Sequence, residues 1–340
     1  MTVRVGINGF GRIGRGFVRA AYERGADVEI VAVNDLTSPE MNAHLLRYDS
    51  TQGRFNGTVT VDGDFFVVGD QRIKVLSERD PGDLPWKSLD VDVVVESTGR
   101  FTKREDAAVH LAGGARKVVI SAPATGADAT FVVGVNDDQY DPGKDDVVSN
   151  ASCTTNCFVP MVKVLDDTFG VVSGLMTTVH AYTNDQNLLD LPHTDLRRAR
   201  AAAVNIVPSS TGAARATGLV LQSMQGRLDG TSLRVPVPTG SITDFTAVVN
   251  GSPSVADVNA AFAKAASAGP LSNVLVYTED EIVSSDIEGS PASCTFDAGL
   301  TMVQGIDDEK SLVKVLGGYD NEWGYANRLV DLVEIVGRSA

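Results

Sequence analysis

Apolar and polar positions divide the chain into two stretches of different character. In the first, short apolar runs alternate with segments of helical periodicity. Val3–Ile7 reads as a strand, and Gly11–Arg24 as a helix, because Ile13, Phe17, Val18 and Ala21 recur at helical spacing. Glu29–Val33 is a second strand. Thr58–Val61 and Phe65–Val68, separated by Asp62-Gly63-Asp64, read as antiparallel hairpins inserted over residues 58–75. Val91–Val95 and Val118–Ile120 are continuous β-branched runs, the pattern of parallel strands buried on both faces. A helix over Lys103–Leu111, ending at Gly113-Gly114, lies between them. Phe131–Val133 and Val147-Val148 complete the series. Repeated strand–helix–strand units predict a doubly wound, mostly parallel α/β sheet of the Rossmann kind.

After residue 150 the runs lengthen and become rich in Val and Thr: Val171–Val179, Leu233–Val237, Asp244–Val249, Ser293–Phe296, Thr301–Val303 and Ser311–Leu316. Helices are fewer, chiefly Thr154–Thr168, Thr211–Gln222 and Val255–Ala266. This predicts an α+β domain with a largely antiparallel sheet. A long polar stretch from Thr183 to Asn205 has no clear period, and unstructured loops of that length inside compact domains are usually functional. The tail Tyr325–Val336 carries Leu329, Leu332, Val333 and Val336 on one face of a helix. The expected division is a nucleotide domain over 1–151, completed by a C-terminal helical segment 319–340, and a catalytic domain over 152–318.

The length of 340 residues fits two domains, and the composition, 43% hydrophobic and 21% charged, is that of a globular enzyme. A net charge of −15 repels nucleic acid and anionic membrane, so neither is an expected partner. An anionic substrate would need a few arginines to build a local positive pocket against that field. No apolar run reaches the length of a membrane span. Met1–Val5 opens in strand-like alternation with no basic segment before an apolar one, so the expectation is a cytoplasmic chain. The three cysteines (153, 157 and 294) are odd in number and form no C-x-x-C pair, which argues against a disulfide framework. Four scattered histidines (44, 110, 180 and 193) predict no metal site.

Two local patterns carry chemistry. Gly9-Phe10-Gly11-Arg12-Ile13-Gly14 is G-x-G-x-x-G between a predicted strand and helix, the context of a dinucleotide fingerprint. Gly9 permits the tight turn, Gly11 lets backbone approach a pyrophosphate, and Gly14 lets helix pack on strand; the helix N-terminus offers free N–H groups to phosphate. Asp35, at the end of the second strand, suits the adenosine ribose hydroxyls and repels a 2′-phosphate, so NAD is favoured over NADP. The second pattern is Ser152-Cys153-Thr154-Thr155-Asn156 at the start of a predicted helix, where the dipole favours a thiolate. His180, closing the run Val171–Val179, could serve as its base. Residue chemistry alone leaves a second account open, in which Cys153 is a small buried hydrophobe and His180 a satisfied histidine. Arg198 in Arg197-Arg198-Ala199-Arg200 likewise fits a solvated basic patch. Cys157 and Cys294 are expected to pack in the core.

Five segments, Gly6–Arg15 (GINGFGRIGR), Ala151–Cys157 (ASCTTNC), Val179–Gln186 (VHAYTNDQ), Pro208–Ala214 (PSSTGAA) and Tyr319–Arg328 (YDNEWGYANR), strongly resemble the phosphorylating glyceraldehyde-3-phosphate dehydrogenases, in order along the whole chain. The resemblance implies NAD as cofactor and glyceraldehyde 3-phosphate and inorganic phosphate as substrates. Cys153 would be the nucleophile, and His180 its base and ion-pair partner. It assigns Thr183, Asp185 and Arg234 to the substrate phosphate, and Ser152, Thr154, Thr211, Gly212 and Arg198 to the attacking phosphate. Around the cofactor it places Arg12, Ile13, Asp35, Arg79, Ser121, Asn321 and Tyr325 beside the fingerprint glycines. It also implies a homotetramer, with the 183–205 stretch at subunit interfaces, and associates Leu191 and Pro192 with NAD preference. Thr194 and Phe158-Val159 depart from the common pattern of that family. An erythrose-4-phosphate dehydrogenase would share many of these motifs and use water as the final acceptor; the intact phosphate-site residues argue against it.

Overall fold

The computed structural model describes residues 2–339 and contains two compact units. The first comprises the chain up to Val133, Asp137–Ser152, and everything from Ala326 onward. Its elements are β1 (Val3–Asn8), α1 (Arg12–Arg24), β2 (Val28–Asn34), α2 (Pro39–Arg47), β3 (Val59–Asp62), β4 (Phe65–Val68), β5 (Gln71–Leu76), β6 (Val93–Glu96), β7 (Lys117–Ile120), β8 (Ala129–Thr130) and β9 (Val147–Ser149). They form one sheet in the order β8-β9-β7-β6-β1-β2-β5-β4-β3. All neighbours are parallel except β5–β4 and β4–β3, which are the inserted hairpins. The central strands are apolar because both faces are covered: Val5, Ile7, Val93, Val94, Val95, Val118 and Ile120 are fully buried. The chain leaves β1 toward β2 on one side and returns to β6 on the other, so the β1 end is the point where strand order reverses.

Two expectations in this unit are corrected. The helix expected over Lys103–Leu111 is two single turns, Arg104–Ala107 and Val109–Ala112. The Leu111 N–H bonds the Ala108 carbonyl three residues back, which tightens the path and breaks the α-helical ladder. The strand expected at Phe131–Val133 instead pairs at Ala129–Thr130, with one further bond from the Phe131 N–H to the Ser149 carbonyl; Phe131–Val133 are apolar because they are buried.

The second unit contains Gly134–Asn136 and Cys153–Tyr325. Its elements are α3 (Cys153–Phe169), β10 (Val171–Ala181), β11 (Val207–Ser210), α4 (Ala213–Val220), β12 (Leu228–Val235), β13 (Ser241–Asn250), α5 (Val255–Ser267), β14 (Leu275–Thr278), β15 (Cys294–Asp297), β16 (Met302–Gly305) and β17 (Lys310–Tyr319). The sheet runs β11-β12-β10-β13-β17-β15-β14, with β16 also on β17. It is largely antiparallel, but β10–β12 and β14–β15 are parallel. Strict alternation along β13 puts Ser241, Thr243, Phe245, Ala247 and Val249 on the buried face, against which α3 packs.

The last helix, α6 (Trp323–Gly337), changes unit within its first turn, so the expected segment 319–340 joins the first unit only from Ala326. Residues 319–320 and those before them belong to the second unit because Tyr319 ends β17. Leu329, Val330, Leu332, Val333 and Val336 are buried, and Asp331 forms an ion pair with Arg24 at 2.5 Å.

The β1–α1 turn is where glycine is required. Gly9 has φ +93°, and a Cβ there would lie 2.6 Å from the Thr98 nitrogen. A Cβ on Gly14 would lie 2.3 Å from the Gly9 carbonyl oxygen, so α1 could not approach β1 so closely. Gly11 differs: its φ is −72°, and a Cβ would meet nothing within 4 Å. The expected outcome is that Gly9→Ala costs about 1–3 kcal/mol of stability, while Gly11→Ala leaves stability close to wild type. Chemical denaturation of the two variants checks this, and equal losses would contradict the assignment of strain to Gly9.

Candidate active site

In the first unit, the turn after β1 opens onto a cleft of about 280 Å³ lined by Gly9, Gly11, Asn34, Asp35, Arg79 and Thr98, among others. Gly11 caps α1 without a side-chain hydrogen bond, so no capping side chain covers the positive end of the helix dipole. The Asp35 carboxylate is held at the rim by the Phe10 N–H (3.0 Å) and the Thr37 N–H (3.2 Å). Each of its oxygens accepts one of these, leaving lone pairs for a vicinal diol. An open glycine face, an uncapped helix N-terminus and a fixed carboxylate fit the adenosine and pyrophosphate portion of a dinucleotide.

Other expected cofactor residues stand differently. Arg12 forms a two-pronged ion pair with Asp49 (2.9 and 3.0 Å), which holds the Asp49 carboxyl well below its ordinary pKa against the cost of burial. Its side chain is therefore directed at Asp49, and what it brings to the fingerprint is the backbone of the first helical turn. Ile13, Gly14 and Ser121 do not line the cleft. Ser121 donates its N–H to the Glu96 carbonyl.

Beneath the cleft lies a buried polar network that the sequence did not single out. Asn8 Nδ2 donates to Glu96 Oε2 (2.7 Å), and Asn34 Nδ2 donates to Asn8 Oδ1 (2.8 Å). Glu96 Oε1 accepts from the Thr98 N–H, and Oε2 also meets His110 Nε2 at 2.9 Å. Trp86 Nε1 can only donate, so His110 Nδ1 accepts from it at 3.0 Å and Nε2 carries the proton toward Glu96. The network ties the ends of β1, β2 and β6 to one another. The available signal was a carboxylate closing the otherwise apolar run Val93-Val94-Val95.

In the second unit, Cys153 is the first residue of α3 and His180 sits near the end of β10. The Cys153 sulfur lies 3.4 Å from His180 Nε2, within reach for proton transfer. Parallel pairing of β10 with β12 sets His180 directly beside Arg234. Arg234 Nη1 is 2.6 Å from His180 Nδ1 and 3.1 Å from the Ala181 carbonyl oxygen. Tyr319 stacks edge-on to His180, and its hydroxyl sits 2.8 Å from both Thr154 Oγ1 and Thr178 Oγ1.

These surroundings act on both proton affinities. Burial pushes the Cys153 thiol up, opposed by the Arg234 charge and by hydrogen bonds from Thr154. Burial, and then repulsion from Arg234, lower His180 to about 3. The same guanidinium thus favours the thiolate half of the ion pair that the resemblance implies and opposes its imidazolium half. Two adjacent charges cannot be desolvated cheaply there, and a guanidinium already occupies the imidazole's other side.

Both expected phosphate arginines are engaged. Arg198 donates to Ser209 Oγ (2.7 Å) and to Asp185 Oδ2 (2.6 Å), and Thr183 Oγ1 donates to Asp185 Oδ1 (2.6 Å). Asp185 therefore orients an arginine and a hydroxyl; as a carboxylate it would repel the phosphate it was expected to hold. Thr211 Oγ1 accepts from the Ala213 N–H at the start of α4, and the neighbouring Gly212 faces open space. The Thr154 hydroxyl is committed to Tyr319. Ser152 ends the first unit. Asn321 Oδ1 accepts from Ser241 Oγ (2.9 Å), which itself accepts from the Ala181 N–H beside the imidazole. Tyr325 is buried in the second unit. Phe158 packs edge-on against Phe245 (4.8 Å between centroids) behind the nucleophile, and Cys157 and Cys294 are fully buried. Among the described residues no cluster suits a metal ion.

Comparison with known proteins identifies the family. Residues 3–104 match the NAD binding domain of glyceraldehyde 3-phosphate dehydrogenase, and residues 152–321 match its C-terminal domain. The chain is 62% identical to a glyceraldehyde-3-phosphate dehydrogenase of Streptomyces coelicolor, with 99% of each chain covered. It is 60% identical to that of Mycobacterium avium and 59% identical to that of Mycolicibacterium smegmatis, with 100% of each chain covered. The chain thus belongs to the glyceraldehyde-3-phosphate dehydrogenase family and carries that family's NAD-binding domain.

Proposed function

We propose that the protein catalyses the NAD-dependent, phosphorylating oxidation of glyceraldehyde 3-phosphate to 1,3-bisphosphoglycerate. The observation that carries this reading is the 3.4 Å approach of Cys153 Sγ to His180 Nε2, with Arg234 on the other side of the same imidazole. The Cys153 proton passes from Sγ to Nε2 as the sulfur attacks the aldehyde carbon. The carbonyl π pair moves to oxygen, which takes a proton from Nε2–H, leaving a thiohemiacetal and a neutral imidazole. The backbone N–H at the start of α3 and the imidazole steady the oxyanion as it forms. Bound NAD supplies the hydride acceptor. His180 takes the hydroxyl proton again as the carbon becomes a thioester. Inorganic phosphate then attacks that carbon, the C–S bond breaks and Cys153 leaves as thiolate.

Arg234 with Thr183 suits the substrate phosphate, and Arg198 with Thr211, Gly212, Ser152 and Thr154 suits the attacking phosphate. Hydroxyls, N–H groups and guanidinium forks are the donors that phosphate oxygens need. Gly9, Gly11 and Gly14, the backbone at Arg12 and Ile13, and Asp35 and Arg79 would hold the cofactor, with Ser121, Asn321 and Tyr325 completing its surroundings. We place the reaction in the cytoplasm.

The experiment that tests this reading is NADH formation from glyceraldehyde 3-phosphate, with and without phosphate. Turnover is expected to need phosphate, to be far slower with NADP because Asp35 repels the 2′-phosphate, and to fall about a thousandfold in Cys153→Ser. Turnover independent of phosphate would instead identify water as the acceptor.

The lowered His180 pKa predicts an acid-dependent stability. The folded chain binds this proton only near pH 3, whereas the unfolded chain binds it near the ordinary value of 6.5. Between these pH values the unfolded state holds more protons, so stability is complete above about pH 6.5 and is lost as pH falls, by up to about 1.4 kcal/mol per pH unit. Denaturation midpoints of His180→Asn should fall less steeply than wild type over that window, and parallel profiles would contradict the lowered value.

An exposed apolar loop supports an assembly. Leu188, Leu189 and Leu196 in the long loop are 74–83% exposed, an apolar surface that an isolated chain leaves in water. A homotetramer built through this loop is the arrangement we propose, and light scattering should return four times the chain mass; a monomer would refute it.

A further inference from the structure

Three adjacent parallel strands of the first unit end in side chains that meet one another. In register, Asn8 at the end of β1 lies between Asn34 of β2 and Glu96 of β6. The dinucleotide cleft opens over this row, at the carboxyl ends of the strands where strand order reverses. One wall is the turn after β6, with Ser97, Thr98 and Phe101. The other comes from where β2 and β5 end, with Asn34, Asp35 and Arg79.

The two walls share one carboxyl group. Glu96 Oε1 accepts from the Thr98 N–H (2.9 Å) and from its hydroxyl (2.5 Å), and that hydroxyl accepts from the Arg100 N–H (3.1 Å). Glu96 Oε2 accepts from Asn8 Nδ2, and Asn8 Oδ1 accepts from Asn34 Nδ2. Asn34 also exchanges two bonds with the Glu78 backbone: Oδ1 accepts from its N–H (2.7 Å), and Nδ2 donates to its carbonyl (2.8 Å).

The direction of each bond is fixed from outside the row. The Glu78 backbone orients the Asn34 amide, Asn34 orients Asn8, and the Asn8 NH2 group is left facing Glu96. Trp86 Nε1–H obliges His110 to present its other nitrogen to Glu96 as a donor. The Thr98 N–H is a donor by nature. Donors therefore converge on both carboxyl oxygens. An amide in place of this carboxyl would accept on one side only and would set its own NH2 against a donor on the other. Val93, Val94 and Val95 already hold β6 by packing, so a tie within the sheet does not require a buried polar group here. What Glu96 adds is the placement of the two walls relative to each other.

We propose that Glu96 is a positioning residue for NAD: it holds the Thr98 wall and the Asn34 wall at the spacing that the dinucleotide needs, and His110, oriented by Trp86, fixes the carboxyl group from behind. The proposal rests on the reading of this cleft as the site of the adenosine and pyrophosphate portion. Glu96 is itself buried and acts through Asn8 and Thr98, both of which line the cleft.

The test is calorimetric NAD binding to the full chain, with KM for NAD and kcat measured beside it. Glu96→Gln keeps the shape of the side chain and should weaken NAD binding about tenfold, raising KM for NAD with a far smaller change in kcat. His110→Gln can accept from Trp86 through its carbonyl and donate to Glu96 through its NH2, so it should bind NAD within about twofold of wild type. His110→Leu can do neither and should weaken binding about fivefold. The protein without NAD gives a second readout. The chain has two tryptophans, and Trp86→Phe identifies the Trp86 indole N–H resonance. That resonance should keep its hydrogen-bonded position in His110→Gln and move upfield in His110→Leu. Asp35→Ala, at the rim of the same cleft, should also weaken NAD binding. Unchanged binding in Glu96→Gln and His110→Leu, with weakened binding in Asp35→Ala, would overturn the positioning role and leave the reading of the cleft intact. Equal NAD affinity, or an equal indole shift, in His110→Gln and His110→Leu would overturn it too, since bond direction would then carry nothing. Unchanged binding in Asp35→Ala would refute the reading of the cleft and the proposal with it. The two His110 variants decide the matter if Glu96→Gln does not fold.

Discussion

The catalytic geometry depends on one pairing: β10 runs parallel to β12, in register, so that His180 lies opposite Arg234. Strand partners in register stand about 5 Å apart, and neither side chain needs a long reach to meet the other. A slip of one residue in either strand would turn its side chain to the opposite face of the sheet and part the two. Register here is held by burial on the helix-facing side. Met176, Thr178 and His180 alternate inward along β10, and the sheet continues through β13, whose inward residues pack under α3. The nucleophile comes from that same α3, and so the sulfur, the imidazole and the guanidinium are all positioned by one packed layer.

Electrostatics then work against the usual expectation of a charged catalytic pair. The thiol and imidazole are both desolvated, and the nearest full charge is cationic. A cation stabilises a thiolate and opposes an imidazolium, so it pulls the two members of an ion pair in opposite directions. Burial opposes charge on either member, and the guanidinium acts on the two in opposite senses. In a chain of net charge −15 that local charge has to be held in place. Arg198 is held by Asp185 and Ser209, and Arg234 by the imidazole and a carbonyl. Each tether keeps a guanidinium ordered, and on the reading proposed above an arriving phosphate would displace or share that contact.

Much of this was legible along the chain, for reasons that can be traced to particular residues. The β1–α1 turn was visible because its glycines fall at fixed short spacing, two of them, Gly9 and Gly14, where a side chain is sterically excluded, and only local geometry is needed to see it. Cys153 was visible because the start of a helix is a local property. The partnership of His180 with Arg234 was not, since it arises from a parallel pairing between strands 54 residues apart. Residue types at that separation carry no register. The Glu96–His110–Trp86 network was missed on the same ground: each residue sits in an apolar or helical context that looks structural by itself. Phe131–Val133 failed in the opposite direction, because burial produces the same apolar string in residues just past a strand as in the strand itself.

The two units also differ in how much of their chemistry is built from backbone. The dinucleotide turn uses glycine geometry, helix N–H groups and one carboxylate held by two amides, so its specificity is set by shape that side-chain motion cannot easily disturb. The second unit relies on arginine and threonine side chains with several partners each, groups that can exchange contacts within an ångström or two. Such a division suits a reaction in which one ligand is bound the same way throughout, while phosphates arrive and depart within a single turnover. Rigid backbone serves the constant ligand, and arginines with internal partners serve the changing ones, because an internal partner keeps a guanidinium ordered in the intervals when no phosphate is present.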